Sequence, residues 1–66
     1  MKLIVEPDAL KPQRFMIKHD PAVGFYLYVF ERDRCVRDHL EDTLDLAMTR
    51  AALDYGVAKE SWTQTD

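Results

Sequence analysis

The chain has 66 residues, 47% hydrophobic and 32% charged, with a formal net charge of -3 and a single cysteine. A domain of this size hides only about 60% of the surface its unfolded chain exposes, so these residues are expected to form one domain with one small core. The composition is that of a folded rather than a disordered chain. One cysteine excludes an intrachain disulfide, which leaves oligomerisation as the staple such small domains usually need. The nine Lys and Arg residues are scattered rather than clustered, which argues against direct nucleic-acid binding.

In chain order, Met1-Lys2 precedes a three-residue apolar stretch, Leu3-Ile4-Val5, too short for a signal peptide or a membrane span. The expectation is a cytoplasmic protein without a membrane partner, and Cys35 suits a reducing compartment. Lys2 to Val5 reads either as a short first strand or as a flexible arm, and Pro7 and Pro12 bracket the connector after it. Arg14-Phe15-Met16-Ile17-Lys18 reads as a strand, and His19-Asp20-Pro21-Ala22-Val23-Gly24 as a turn. Gly24-Phe25-Tyr26-Leu27-Tyr28-Val29-Phe30 is the central strand. Glu31-Arg32-Asp33-Arg34 makes the next hairpin turn, and the chain returns through Cys35-Val36-Arg37.

The helix has the clearest signal. Leu44, Ala47, Met48, Ala51 and Tyr55 fall on one stripe at helical spacing. Asp42 or Thr43 can cap its start, Glu41, Asp42 and Asp45 oppose its dipole, and Gly56 with Val57 ends it near Tyr55. Trp62 is expected to fold back onto the body. The sum is a single α+β domain over residues 1–66: a three-stranded antiparallel meander, with or without a short N-terminal strand, carrying one C-terminal helix on one face.

Two apolar surfaces are left over once this core is assigned. Side chains alternate along the central strand, so Phe25, Leu27 and Val29 share one face and Tyr26, Tyr28 and Phe30 the other. The aliphatic set should meet the helix, because phenolic hydroxyls tolerate a wet or interfacial site. On the helix, Leu46 and Leu53 form a second ridge opposite the core stripe. Either the chain's own ends cover the tyrosine face or a second molecule does. Two-fold dimers are the commonest oligomers, so a homodimer is expected, through Tyr26, Tyr28 and Phe30 first and through Leu46 and Leu53 second.

Catalytic and metal motifs are thin. Cys35 and His39, with His19 and Asp20 or Asp38, can be drawn as a metal site or a Cys-His pair, but a structural zinc site shows four ligands in two close pairs. A buried strand cysteine beside a partly exposed histidine is the plainer expectation, with no cofactor and no metal. The acidic group Asp38, Glu41, Asp42 and Asp45 lacks a glycine-centred calcium loop and suits helix capping. The central strand also departs from the aromatic strand of RNA-recognition motifs at Val23, Tyr26 and Leu27.

Over residues 14 to 56, the order of a strand, Gly24-Phe25-Tyr26 opening a second strand, Cys35 in a third, and Asp42-Thr43-Leu44-Asp45-Leu46-Ala47 opening a helix resembles the compact ββ(β)α domain of HicB-type antitoxins. The chain differs from that pattern in having Glu31-Arg32-Asp33-Arg34 where a Pro-Gly segment precedes the Cys, and Glu41 where a Gly precedes the Asp-Thr pair. The resemblance implies a non-catalytic, dimeric protein that masks a small basic toxin. A functional expectation follows: a protein-interaction module acting as a homodimer, with a small enzyme or metal-binding protein near Cys35 and His39 at a dimer interface as the alternative.

Overall fold

A computed structural model describes residues 1–65. Its element order is β1 (Lys2–Val5), β2 (Arg14–Asp20), β3 (Gly24–Glu31), β4 (Arg34–Glu41), α1 (Leu44–Tyr55), a 3-10 turn (Lys59–Ser61) and β5 (Thr63–Thr65). All neighbouring strands are antiparallel, in the spatial order β4-β3-β2-β1-β5, with α1 across one face, so the fold is α+β. The expected meander is thus part of a larger sheet. Lys2–Val5 is an interior strand rather than an arm, and the C-terminal Thr63–Thr65 pairs with its free edge.

The two hairpins are closed by local chemistry. At the first, Asp20 Oδ1 accepts from Ala22 N at 3.0 Å and Asp20 O accepts from Val23 N at 3.1 Å, so β2 runs two residues past the expected Lys18 and a three-residue turn leads into β3 at Gly24. Gly24 follows with φ 136°, and a Cβ there would lie 2.5 Å from the Glu41 carbonyl oxygen of the adjacent strand. Only glycine fits both constraints. At the second hairpin, Arg32 and Asp33 both adopt positive φ, 53° and 64°, the two-residue geometry whose twist matches the flanking strands.

Strand β4 runs to Glu41, well past the expected end at Arg37. It also carries a bulge: Val29 faces Arg37 while Phe30 faces Cys35, so Val36 is an extra residue. Beyond it the parity of β4 is inverted.

The helix follows its expected stripe. Ala47 and Ala51 are buried, and Leu44, Met48 and Tyr55 pack beside them. Thr43 Oγ1 accepts from Leu46 N at 3.1 Å, which satisfies one of the free first-turn amides. Gly56, at φ 70°, and Val57 donate to Ala52 O and Ala51 O, both at 3.1 Å, a glycine C-cap whose accompanying apolar residue is buried. The acidic group does not act together as a cap. Only Asp45 lies in the first turn, bridged to Lys59 at 3.1 Å, whereas Glu41 is in β4 and pairs with Arg50 at 3.0 Å.

One contact had no sequence signal. Asp8 Oδ1 accepts from Leu10 N and Lys11 N, both at 2.8 Å, folding the connector into a tight turn. That turn sends Lys11 Nζ to the carbonyls of Tyr55 and Gly56, at 2.9 and 2.8 Å, setting a cation on the negative end of α1.

The core lies between α1 and the sheet. Phe15, Ile17, Leu27 and Val29 are 0% exposed and meet Ala47 and Ala51. Each such side chain contributes roughly 1.5–3 kcal/mol relative to exposure. The small alanines let the helix approach, and Val5, Phe25, Leu44, Met48, Tyr55 and Trp62 close the margins.

The open aromatic face as candidate functional site

The residues between those core positions define the opposite face. Read across β1, β2 and β3, Lys2, Lys18 and Tyr26 form one row, Ile4, Met16 and Tyr28 the next, and Arg14 and Phe30 the third. Strand β4 extends the rows with Leu40, Asp38 and Cys35. Among the described residues no element lies over this face, because α1 occupies the other side and β1 and β5 extend the sheet sideways, with Trp62 packed against the core. The described terminal segments, β1 and β5, therefore do not cover the tyrosines.

Two columns run along it. The aromatic column is continuous: Tyr26 and Tyr28 stack with ring centres 5.7 Å apart, and Tyr28 and Phe30 follow at 6.4 Å. All three rings are half-buried by one another and by their neighbours rather than sealed. Beside them is an interrupted basic column, Lys18 and Lys2 in the Tyr26 row and Arg14 in the Phe30 row with Met16 and Ile4 between, and the Arg14 guanidinium lies 5.1 Å from the centre of the Phe30 ring. Between the columns is a shallow depression of about 280 Å³ lined by Lys2, Met16, Lys18, Tyr28, Phe30 and Cys35. Local burial raises the Tyr28 phenol above its ordinary value, and the charges of Tyr26, Asp38, Cys35 and Asp20 add to the rise. Tyr28 is thus a neutral hydroxyl at physiological pH.

The second expected surface is also present but differs in kind. Leu53 is 79% exposed and Leu46 46%, beside Thr49 and Arg50, and the Arg50 guanidinium is shared between Glu41 and Asp54. The ridge lies on α1, away from the buried Ala47 and Ala51 of the core stripe.

Cys35 and His39 do not converge. Four residues apart on a regular strand they would share a face, but the Val36 bulge sends Cys35 to the open face opposite Phe30 and His39 to the covered face opposite Leu27. There His39 Nε2 and Tyr55 Oη are 2.8 Å apart, tying the edge strand to the helix. Cys35 is exposed, not the buried strand cysteine expected, and its Sγ lies 3.4 Å from Arg37 O across the bulge. His19 stacks on Phe25 with ring centres 4.3 Å apart. Among the described residues, no group of three or more His, Cys, Asp and Glu side chains is arranged to hold a metal ion, and no helix is long and apolar enough to cross a membrane.

The basic column was missed because its members are far apart in sequence. The signal that could have found it is parity: Lys2, Arg14 and Lys18 all alternate with core residues of their strands. Comparison of the chain with protein-family models, with curated proteins and with solved structures gives no match.

Proposed function

We propose that the protein is a non-catalytic binding module whose working surface is the open face of its sheet. One observation carries this: three neighbouring aromatic side chains, Tyr26 and Tyr28 stacked and Phe30 tilted against Tyr28, remain uncovered on a sheet whose other face is used by the core. A sheet face of this kind is stable in water only in part, and a contiguous apolar patch rimmed by charge is the usual mark of an interaction site. The separation of Cys35 from His39 weighs against the enzymatic or metal-binding alternative. Replacing Tyr28 with Glu tests the reading. The variant should keep the parent's circular dichroism and lose its binding or self-association, whereas unchanged mass and unchanged binding would refute it.

Self-association has its own candidate surface. The Leu46 and Leu53 ridge lies across the molecule from the ladder, so a homodimer formed through the ridge leaves the aromatic face free. In that arrangement Leu53→Glu converts the dimer to a folded monomer and spares binding at the ladder.

A specific charge distribution favours one second reading, the masking of a basic protein that the HicB-type resemblance implies. Asp42, Asp45, Asp54 and Glu60 are all exposed around α1 and the turn after it, away from the basic column. A basic partner would therefore meet the helix side, since complementary charge steers encounter. Recovery of a small basic ribonuclease on the immobilised protein, abolished by Asp45→Lys with Asp54→Lys, is the expected result; consistent recovery of nothing would dispose of it.

A further inference from the structure

We propose that the open face binds single-stranded nucleic acid, with bases stacked on Tyr26, Tyr28 and Phe30 and phosphates beside Lys2, Lys18 and Arg14. This rests on that face being the working surface and names its ligand class. Sequence-tolerant recognition of a single strand needs two things side by side: a track of cations for the backbone and a track of aromatic faces for the bases. The sheet supplies both: Lys18 and Lys2 stand in the row of Tyr26 and Arg14 in the row of Phe30, with the apolar Met16 and Ile4 in the Tyr28 row between them.

Geometry selects the strand over the duplex. Ring centres at 5.7 and 6.4 Å are spaced more widely than the ~3.4 Å repeat of stacked bases in a duplex strand, so they suit bases splayed along an extended backbone. Paired bases in a duplex cannot present their faces to such a ladder. Of the two acidic residues of this face, Asp38 fits the same polarity, whereas Asp20 lies on β2 in line with Lys18 and Arg14. Asp38 stands beyond Tyr28 on β4, on the far side of the rings from the cations, where a base edge rather than a phosphate would lie. Asp20 is held in the first hairpin turn by Ala22 N at the end of β2.

Net charge concealed the site. The overall -3 argued against nucleic acid, but much of the negative charge is carried by Glu41, Asp42, Asp45, Asp54 and Glu60, on or beside the helix side. The face itself has Lys2, Arg14 and Lys18 against Asp20 and Asp38. A protein partner seated here would need to bury or pair an entire column of cations, whereas a polyanion neutralises it and releases counterions.

The test is fluorescence anisotropy of labelled uridine and thymidine oligomers of about eight nucleotides, beside a duplex of equal length, titrated with the full chain. Binding of either single strand, and not of the duplex, is expected, and the preferred sugar distinguishes RNA from DNA. Three phosphate contacts predict a slope near -2 for log affinity against log salt, so raising salt from about 50 to about 200 mM should weaken binding roughly twentyfold. Tyr28→Ala should weaken it about fivefold or more. Lys18→Gln, at an exposed position that no core contact uses, should weaken binding and flatten the salt slope by about 0.7 without touching the fold.

Binding that survives both substitutions unchanged would overturn the proposal. Absence of binding would also overturn it, and the mass of Tyr28→Glu then tells the two levels apart. If wild type is a dimer and Tyr28→Glu a folded monomer, the face is the working surface and its occupant is a second copy of the chain. If the mass does not change, the working-surface reading falls too.

Discussion

The two faces of the sheet are written by alternate residues of the same strands, yet they differ in almost every physical respect. On one, Phe15, Ile17, Leu27 and Val29 are wholly buried under a helix brought close by Ala47 and Ala51. On the other, Met16, Tyr26, Tyr28 and Phe30 are half-buried, interleaved with Lys2, Arg14 and Lys18, and nothing lies over them. The first face has groups that only packing can satisfy. The second has rings with hydroxyls and chains with ammonium heads, which are stable enough in water to wait for a partner. The proposed binding surface therefore predicts that stability and binding separate by single substitutions one residue apart.

The sharpest way to break that comparison is to truncate neighbours on β3. Leu27→Ala should cost about 2–5 kcal/mol in denaturant unfolding, because it opens a cavity under the helix. Tyr28→Ala should cost about 1 kcal/mol or less, the worth of an exposed aromatic stack. Equal losses would mean that both faces are structural. Gly24→Ala should be next, at about 1–3 kcal/mol, since its Cβ meets the Glu41 carbonyl and its φ is unfavourable for any other residue. It acts on the hairpin that holds both faces in register and should lower thermal stability and binding together.

Smaller effects sharpen the contrast. Arg32→Asn with Asp33→Gly relieves two side chains held at positive φ and should raise stability by about 1 kcal/mol, read as a higher urea midpoint with no change in binding. Lys11→Met removes the cation from the helix C-terminus and should cost about 0.3–1 kcal/mol in the same measurement, least at high salt. The smallest effect is a titration. Folding raises the Tyr28 phenol above the ordinary 10.0, so its contribution is complete below that value and is lost as pH climbs through the raised one. Tyrosinate absorbance should show a late-titrating ring that vanishes in Tyr28→Phe.

The helix was legible because five residues on one stripe, a Thr cap and a Gly stop all point to one element. So was the division of β3 into aliphatic and aromatic faces, which needs only a period of two. What escaped was non-local or short. Thr63-Gln64-Thr65 has no apolar alternation and becomes a strand only because β1 offers a free edge. Asp38 to Glu41 is polar and reads as a cap, but its backbone pairs with Phe25 to Tyr28 across the hairpin. The Val36 bulge, which sends Cys35 and His39 to opposite faces, leaves no residue signature. The basic column joins residues 2, 14 and 18, which only the pairing of β1 with β2 brings together.

Cys35 is a built-in reporter for the central claim, since it opens onto the open face beside Tyr28 and Phe30. The decisive measurement is its alkylation rate as a uridine oligomer is added, in wild type and in Lys18→Gln. The account predicts a saturable slowing that follows the anisotropy curve and shifts to higher oligomer concentration in the variant. An alkylation rate that stays constant throughout would contradict the assignment of this face as the place where the protein binds.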